Sequence, residues 1–196
     1  MKRLVSMLLA AALALSLAGC GGGDSGQQQP ASYSGDYTGS GGDVYAENGY
    51  AEGRIGDTMH TYFFDYTVNS AYTCGEFAGR EAAEGCKLLV VEVRVKNTFT
   101  SGIEMYDTDF QAQWGSGDGD YRVPITTDPE TFEELEAISG DQLPGTYSLG
   151  VNQERTGLLV YEVPAGERDF SISYLEAFEE GDDGDTFFVY FTPEER

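Results

Sequence analysis

The side chains able to do chemistry are few in kind and heavily skewed in charge. The 196 residues include one histidine, three cysteines and 34 Asp and Glu against 11 Lys and Arg, a formal net charge of −23. His60, in DTMHTY, has no second histidine with which to share a metal or a proton relay. It therefore reads as a surface or turn residue rather than a catalytic base. No Gly-x-Ser-x-Gly, His-Glu-x-x-His or Walker-type glycine loop occurs in the chain, so a nucleophilic triad, a zinc hydrolase and a phosphate-cradling loop all lack their parts. No catalytic residue is assigned. Glycoside hydrolysis needs only an acid and a partner carboxylate several ångströms apart, and with so many acids chance pairs are inevitable, so a carbohydrate-active enzyme stays as one alternative.

Two acidic loops invite comparison with metal sites. WGSGDGDY carries Asp118 and Asp120, and FEEGDDGDTF carries Glu179, Glu180, Asp182, Asp183 and Asp185. Calcium takes about six to eight oxygens, which clustered aspartates and turn carbonyls can supply. Neither loop completes an EF-hand pattern, and both lie between strand-like runs, where Asp-Gly is ordinary hairpin chemistry. Plain turns and no cofactor are the expectation; bound Ca²⁺ would make the protein a calcium-dependent adhesion or solute-capture domain instead. Cys74 and Cys86 could close a short disulfide loop, which chain entropy values at about 3 kcal/mol. The other reading is two free thiols in a host that never oxidises them. A metal centre there lacks four soft ligands in a fixed spacing.

The remaining cysteine sits at a boundary. Lys2 and Arg3 precede an apolar run from Leu4 to Leu17, and small residues follow; this is the layout of a targeting segment over 1–19. The run is shorter than the roughly 20 apolar residues that cross a bilayer. Leu17-Ala18-Gly19-Cys20 resembles the lipobox of bacterial lipoproteins, which implies a diacylglycerol thioether on Cys20 as the new N-terminus. An ordinary secretory signal that happens to contain a cysteine is the alternative. Losing Lys2 and Arg3 with the signal takes the net charge from −23 to −25. Such a surface repels nucleic acid and anionic headgroups. The expected partners are the membrane, through the anchor alone, and an unidentified protein or glycan.

The elements that must position any site begin after a change of composition. Residues 20–52 are rich in Gly, Ser, Gln and Asp without apolar periodicity, and read as a tether in which Tyr33, Tyr37, Tyr45 and Tyr50 are incidental. From Gly53 to Arg196 apolar and polar residues alternate between turn clusters. In KLLVVEVRVKN, Leu89, Val91, Val93 and Val95 fall on one face and Glu92, Arg94 and Lys96 on the other, which gives one dry and one wet side. Phe64, Tyr66 and Val68 alternate likewise and share their face with Tyr62. Phe110, Ala112 and Trp114 do the same, and further strands are expected over 121–125, 156–163, 170–178 and 186–191. In the last, Phe188 and Tyr190 oppose Phe187, Val189 and Phe191. One helix is expected over 128–140, capped by Asp128, with Pro129 in its first turn, a stripe of Phe132, Leu135 and Ile138, and Gly140 as its stop.

Seven to eight strands and one short inserted helix predict an all-β, antiparallel sandwich. The runs GDTMHTYFFDYTVNSA, GCKLLVVEVRVKNTF, DFQAQW and LPG followed by RTGLLVYEVPAG resemble a telokin-like, immunoglobulin-like bacterial domain-of-unknown-function family over about residues 53–178. The resemblance implies secreted proteins and surface lipoproteins, and no catalytic constellation. Val93 to Asn97 and Gly157 to Pro164 carry it, with Asn97 bonding backbone at a strand end and Pro164 stopping a strand. The sequence thus predicts a lipid-anchored module of the bacterial cell envelope, facing outside the cytoplasm, that binds rather than catalyses.

Overall fold

A computed structural model describes residues 41–115, 117, 119–178 and 183–196. Cys20 and its signal, Asp118, Glu179, Glu180 and Asp182 lie outside the described residues, and only the backbone of Asp183 is described. The elements are β1 (Asp43–Tyr45), β2 (Tyr50–Arg54), β3 (Thr58–His60), β4 (Phe64–Cys74), β5 (Glu76–Phe77), β6 (Arg80–Glu81), β7 (Cys86–Asn97), β8 (Ile103–Tyr106), a 3-10 turn (Asp107–Asp109), β9 (Gln111–Gln113), β10 (Tyr121–Arg122), β11 (Thr146–Leu149), β12 (Glu154–Pro164), β13 (Phe170–Ala177), β14 (Asp183–Phe191) and β15 (Glu194–Glu195).

They form the expected β-sandwich. One sheet runs β1-β3-β4-β7-β12 with β15 beside β4, and the other runs β10-β9-β13-β14-β2. The two-stranded sheet β8/β11 and the hairpin β5/β6 are separate from both. Most pairings are antiparallel, but β1 with β3, β2 with β14 and β15 with β4 are parallel, so the sandwich is mixed at its margins. Alternation explains the core. Phe64, Tyr66, Val68, Leu89, Val91, Val93 and Val95 from one sheet meet Ala112, Ile172, Tyr174, Phe187 and Val189 from the other. The Phe64 and Tyr174 rings approach to 4.8 Å across the layers. Each such side chain contributes roughly 1.5–3 kcal/mol by leaving water. Gly157 in β12 is fixed by space, because a Cβ there would lie 2.8 Å from Leu143 Cδ2 and 3.2 Å from the Asp141 carbonyl.

Several expectations are corrected. The folded domain begins before Gly53: β1 and β2 arise from the Gly/Asp-rich stretch assigned to the tether, because β14 and β3 offer free edges whose backbone groups they satisfy. Strand β7 is not wet along its whole outer side. Leu88 and Val90 are also buried, in a second cluster with Val160, against which Phe77, Ala82 and Ile125 pack. Tyr62 does not share the Phe64 face; it precedes β4 and is 61% exposed.

The helix over 128–140 does not form. Asp128 Oδ1 accepts the Glu130 and Thr131 N–H groups, and the Phe132 N–H bonds the Asp128 carbonyl, closing one turn. Phe132 then takes φ = 58°, a left-handed conformation that ends a helix, and Glu134 bridges to Thr127. Phe132, Leu135 and Ile138 remain exposed, so no buried stripe rewards helix formation.

Cys74 and Cys86 are free thiols in the structure. Cys74 pairs with Leu88, which leaves Cys86 two residues along β7 on the diagonal. Diagonal Cβ atoms lie about 7 Å apart, beyond the roughly 4 Å of a disulfide. Burial pushes the Cys74 thiol pKa up. Asn97 behaves as expected: fully buried, its Nδ2 donates to the Ser101 and Leu149 carbonyls and its Oδ1 accepts from Phe99 N–H. Pro164 ends β12.

Candidate functional site

The sequence MYDTDF builds the most chemically unusual part of the fold. Met105 and Phe110 are both buried, so the chain between them is pinned at each end while it turns. Tyr106 N–H donates to Asp109 Oδ2 at 2.9 Å and Phe110 N–H to the Asp107 carbonyl at 3.2 Å, which tightens residues 107–109 into the 3-10 turn. Asp107 is thereby drawn under the surface, 1% exposed, where the Thr126 hydroxyl donates to its Oδ2. Desolvation lifts its pKa to about 6 against the Thr126 hydrogen bond, and nearby Glu134 adds to the rise. Asp109, half-buried, is likewise lifted to about 6 by burial, opposed by the Tyr106 N–H and reinforced by Asp107.

Tyrosines surround this pair. Strand β11 lies on β8 with Tyr147 opposite Met105, and the Tyr147 hydroxyl is buried without a hydrogen-bond partner, as is that of Tyr66. Burial and the Asp109 charge raise the pKa values of Tyr147 and Tyr174. Tyr161 Oη is satisfied by the Phe110 carbonyl at 3.1 Å. The Arg155 guanidinium stands 5.5 Å from the Tyr147 ring centre.

Above the turn a groove of about 310 Å³ opens at one end of the sandwich. Its walls include Phe63, Phe64, Tyr174 and Leu175, and its acids are Asp109 and Glu104. Among the described residues neither lysine, arginine nor histidine lines it. Tyr106 Oη donates to Glu104 Oε1 at 2.6 Å. Beside the mouth, Tyr62 stacks edge-on to Phe63 at 4.9 Å and to Phe178 at 5.5 Å, and Phe63 meets Phe99 at 5.2 Å. Glu176 fixes this rim: buried, it accepts Tyr62 N–H on Oε1 at 2.6 Å and Asp185 N–H on Oε2 at 3.1 Å. Aromatic faces and carboxylates around a void suit holding a ligand.

A second pair of carboxylates sits elsewhere. His60 Nδ1 lies 2.8 Å from Asp65 Oδ1 and its Nε2 lies 3.0 Å from Asp43 Oδ1, with the Tyr45 ring stacked on it at 4.4 Å. Burial alone would lower the His60 pKa, but hydrogen bonds and charge from Asp43 and Asp65 raise it. The imidazole clasps β1 onto β3 and β4 rather than standing alone on the surface. A smaller cavity of about 190 Å³ on the outer side of β7 and β12 lies among Ile125, Pro129 and Leu135, where Arg80 pairs with Glu162 at 3.6 Å.

Of the residues singled out for a metal, only Asp120 and Asp185 have described side chains. Asp120 Oδ2 accepts Gly117 N–H at 2.8 Å, as a turn residue does, and Asp185 offers its own N–H to Glu176. Among the described residues no three His, Cys, Asp or Glu side chains converge as metal ligands. Asp107, Asp109, Glu176 and the four-ring rim went unnoticed in the sequence. The available signal was two acids wedged between Met105 and Phe110, where a surface loop would not place strongly apolar neighbours.

No family model and no curated protein matches the chain. Solved structures do. A candidate lipoprotein of Bacillus subtilis, ycdA, aligns over 69% of this chain at 16% identity with a TM-score of 0.50, and this chain spans 38% of its length. A β-sandwich protein of Clostridium difficile aligns over 72% of this chain and 93% of its own, at 15% identity and a TM-score of 0.43. A candidate lipoprotein of Staphylococcus aureus aligns over 73% and 97%, at 10% identity and a TM-score of 0.39. At such identities likeness speaks for fold alone. The resemblance to the telokin-like family is thus without a family-level match, and what stands is narrower: the chain is a β-sandwich whose fold is similar to that of the Bacillus subtilis protein.

Proposed function

We propose that the protein is a lipid-anchored, extracytoplasmic binding module of a bacterial envelope that works without catalysis or a cofactor. Anchoring rests on Leu17-Ala18-Gly19-Cys20 behind a basic, apolar start. One acyl chain holds a protein only marginally, whereas two or three give durable attachment. The similar Bacillus subtilis fold belongs to a protein itself named as a candidate lipoprotein, which agrees with this reading. The Gly/Ser/Gln-rich stretch after Cys20 would supply reach, and the sandwich would present its loops or an edge.

The observation that carries the binding role is the groove itself: aromatic walls on a rigid sandwich, with Asp109 and Glu104 facing a void of about 310 Å³. That volume stands at the small end of the roughly 300–1,000 Å³ typical of ligand pockets, so the occupant is a small molecule or one side chain of a larger one.

Two measurements test the two halves. Labelled fatty acid should appear on the chain and vanish with Cys20→Ala, which should also release the protein from the membrane fraction; an unlabelled parent chain contradicts the anchor. Ligand screening by NMR on the full chain should shift resonances of Tyr62, Phe63 and Tyr174. Hits that consistently shift residues elsewhere contradict the groove.

A further inference from the structure

We infer that the end groove recognises an organic ammonium carried on an apolar stem, with Asp109 as its counter-ion and the aromatic rim as its cage. The inference rests on the groove being the binding site. Charge complementarity argues for it: Asp109 and Glu104 line the groove and no cationic side chain among the described residues does, although elsewhere in the fold His60 and Arg80 neutralise carboxylates at 2.8–3.6 Å. An ionised carboxylate facing a partly dry cavity is costly until a positive charge joins it.

A second observation is independent of the acids. Tyr174, 7% exposed, lines the same groove and brings a phenol to its wall. Its ring forms part of a wall with Phe63 and Phe64, and Tyr62 stands exposed at the mouth beside Phe63 and Phe178. Aromatic faces attract cations through their quadrupole, most strongly where water is excluded, and a phenol oxygen can accept an ammonium N–H. Carboxylate, phenol and ring faces together fit an ammonium better than a neutral sugar or an anion. The size of the groove fits one amine-bearing side chain or a free arylalkylamine.

The pH response follows from every group facing Asp109. Asp107 lies on the same turn, Glu104 and Tyr106 on or beside β8, Tyr147 on β11 with Arg155 over its ring, and Tyr174 and Glu176 on β13. Asp109 is half protonated near pH 6, and Asp107 with it, whereas the tyrosines stay neutral. Ammonium binding should therefore weaken on acidification through that point.

The test is a calorimetric and NMR titration of the full chain with three probes of one shape: 2-phenylethylamine, 2-phenylethanol and 3-phenylpropionate. The amine should bind the groove at least about tenfold more tightly than the alcohol, the carboxylate should not bind, and amine affinity should fall about tenfold from pH 7.5 to pH 5, the factor that one titrating charge gives over one pH unit below its midpoint. Asp109→Asn should remove the preference for amine over alcohol while leaving the melting profile folded, because its amide oxygen can still accept the Tyr106 N–H. Glu104→Gln, on an exposed residue, should weaken the amine by a smaller factor. Equal binding of amine and alcohol at the groove, or an Asp109→Asn variant that keeps the preference, overturns the ammonium and leaves the groove as a binding site. Absence of groove shifts with all three probes overturns both.

Discussion

Two places in this sandwich bring a pair of carboxylates together, and they resolve the repulsion in opposite ways. At the β1 edge, Asp43 and Asp65 flank His60 at 3.0 and 2.8 Å, so the two acids share one imidazole that can carry positive charge. At the groove, Asp107 and Asp109 share no cation among the described residues; a hydroxyl and backbone amides bond them, and both are lifted to about 6. The first arrangement is complete within the chain and holds a strand in place. The second is incomplete, and it lies under a void with aromatic walls. Exposed acids cost little on a chain of net charge −23, but an acid drawn below the surface without a positive partner is expensive, and persistence of that expense at one place points to use.

The largest expected effect separates the floor of the groove from its rim. Phe64, buried in core and groove alike, should cost about 3–5 kcal/mol on truncation to alanine, read as a loss in denaturant midpoint. Tyr62→Ala, at an exposed ring, should change stability by less than about 0.5 kcal/mol while reducing ligand binding. A Tyr62→Ala variant as unstable as Phe64→Ala would mean that the rim is core.

Next comes the buried acid of the 3-10 turn. The folded pKa of Asp107 lies above its ordinary value of 3.8, so between about pH 4 and 6 the folded state holds more protons than the unfolded one. Stability from this group is therefore fully present below about pH 4 and lost as pH rises to about 6, by roughly 3 kcal/mol for two units of pKa. Asp107→Asn cannot ionise, and should be more stable than the parent at pH 8 by up to that amount with a flatter pH profile. A variant less stable at pH 8 than at pH 4 by the parental margin would place the pH dependence elsewhere.

The clasp should respond with the same sign but less. His60 has a raised pKa, so its contribution is full below about pH 6.5 and fades as pH rises through the folded value. His60→Gln should cost under about 1 kcal/mol at pH 5.5, given that Asp43 is 71% exposed, and almost nothing at pH 9; equal cost at both would show packing with Tyr45, not charge, to be the tie. Smallest of all, calcium should leave the melting temperature within about 1 °C, because a ligand stabilises only a state that binds it. A larger rise would assign Ca²⁺ to the acidic loops.

Legibility in the sequence followed the strength of local pattern. Strands β7 and β14 announced themselves, since Leu89, Val91, Val93 and Val95 and Phe187, Val189 and Phe191 alternate along the chain and all reach the core, while the burial of Val90 on the other face of β7 was not legible. Strands β1 and β2 did not: DVY and YAEGR have little intrinsic β signal, and pair because β3 and β14 present edges to them. Asp128 and Pro129 begin one hydrogen-bonded turn and no helix, since Leu135 and Ile138 stay exposed and no buried stripe rewards one. The site was least legible. An Asp-Thr-Asp looks like a surface turn, and its burial depends on Thr126 and on β11, which come later in the chain.

The most direct measurement is an NMR titration of the side-chain carboxyl carbons of Asp107 and Asp109 in the full chain. The account predicts midpoints near about 6 for both, with that of Asp109 moving down when 2-phenylethylamine is added. Midpoints at the ordinary carboxylate value of about 3.9, unmoved by the amine, would contradict it.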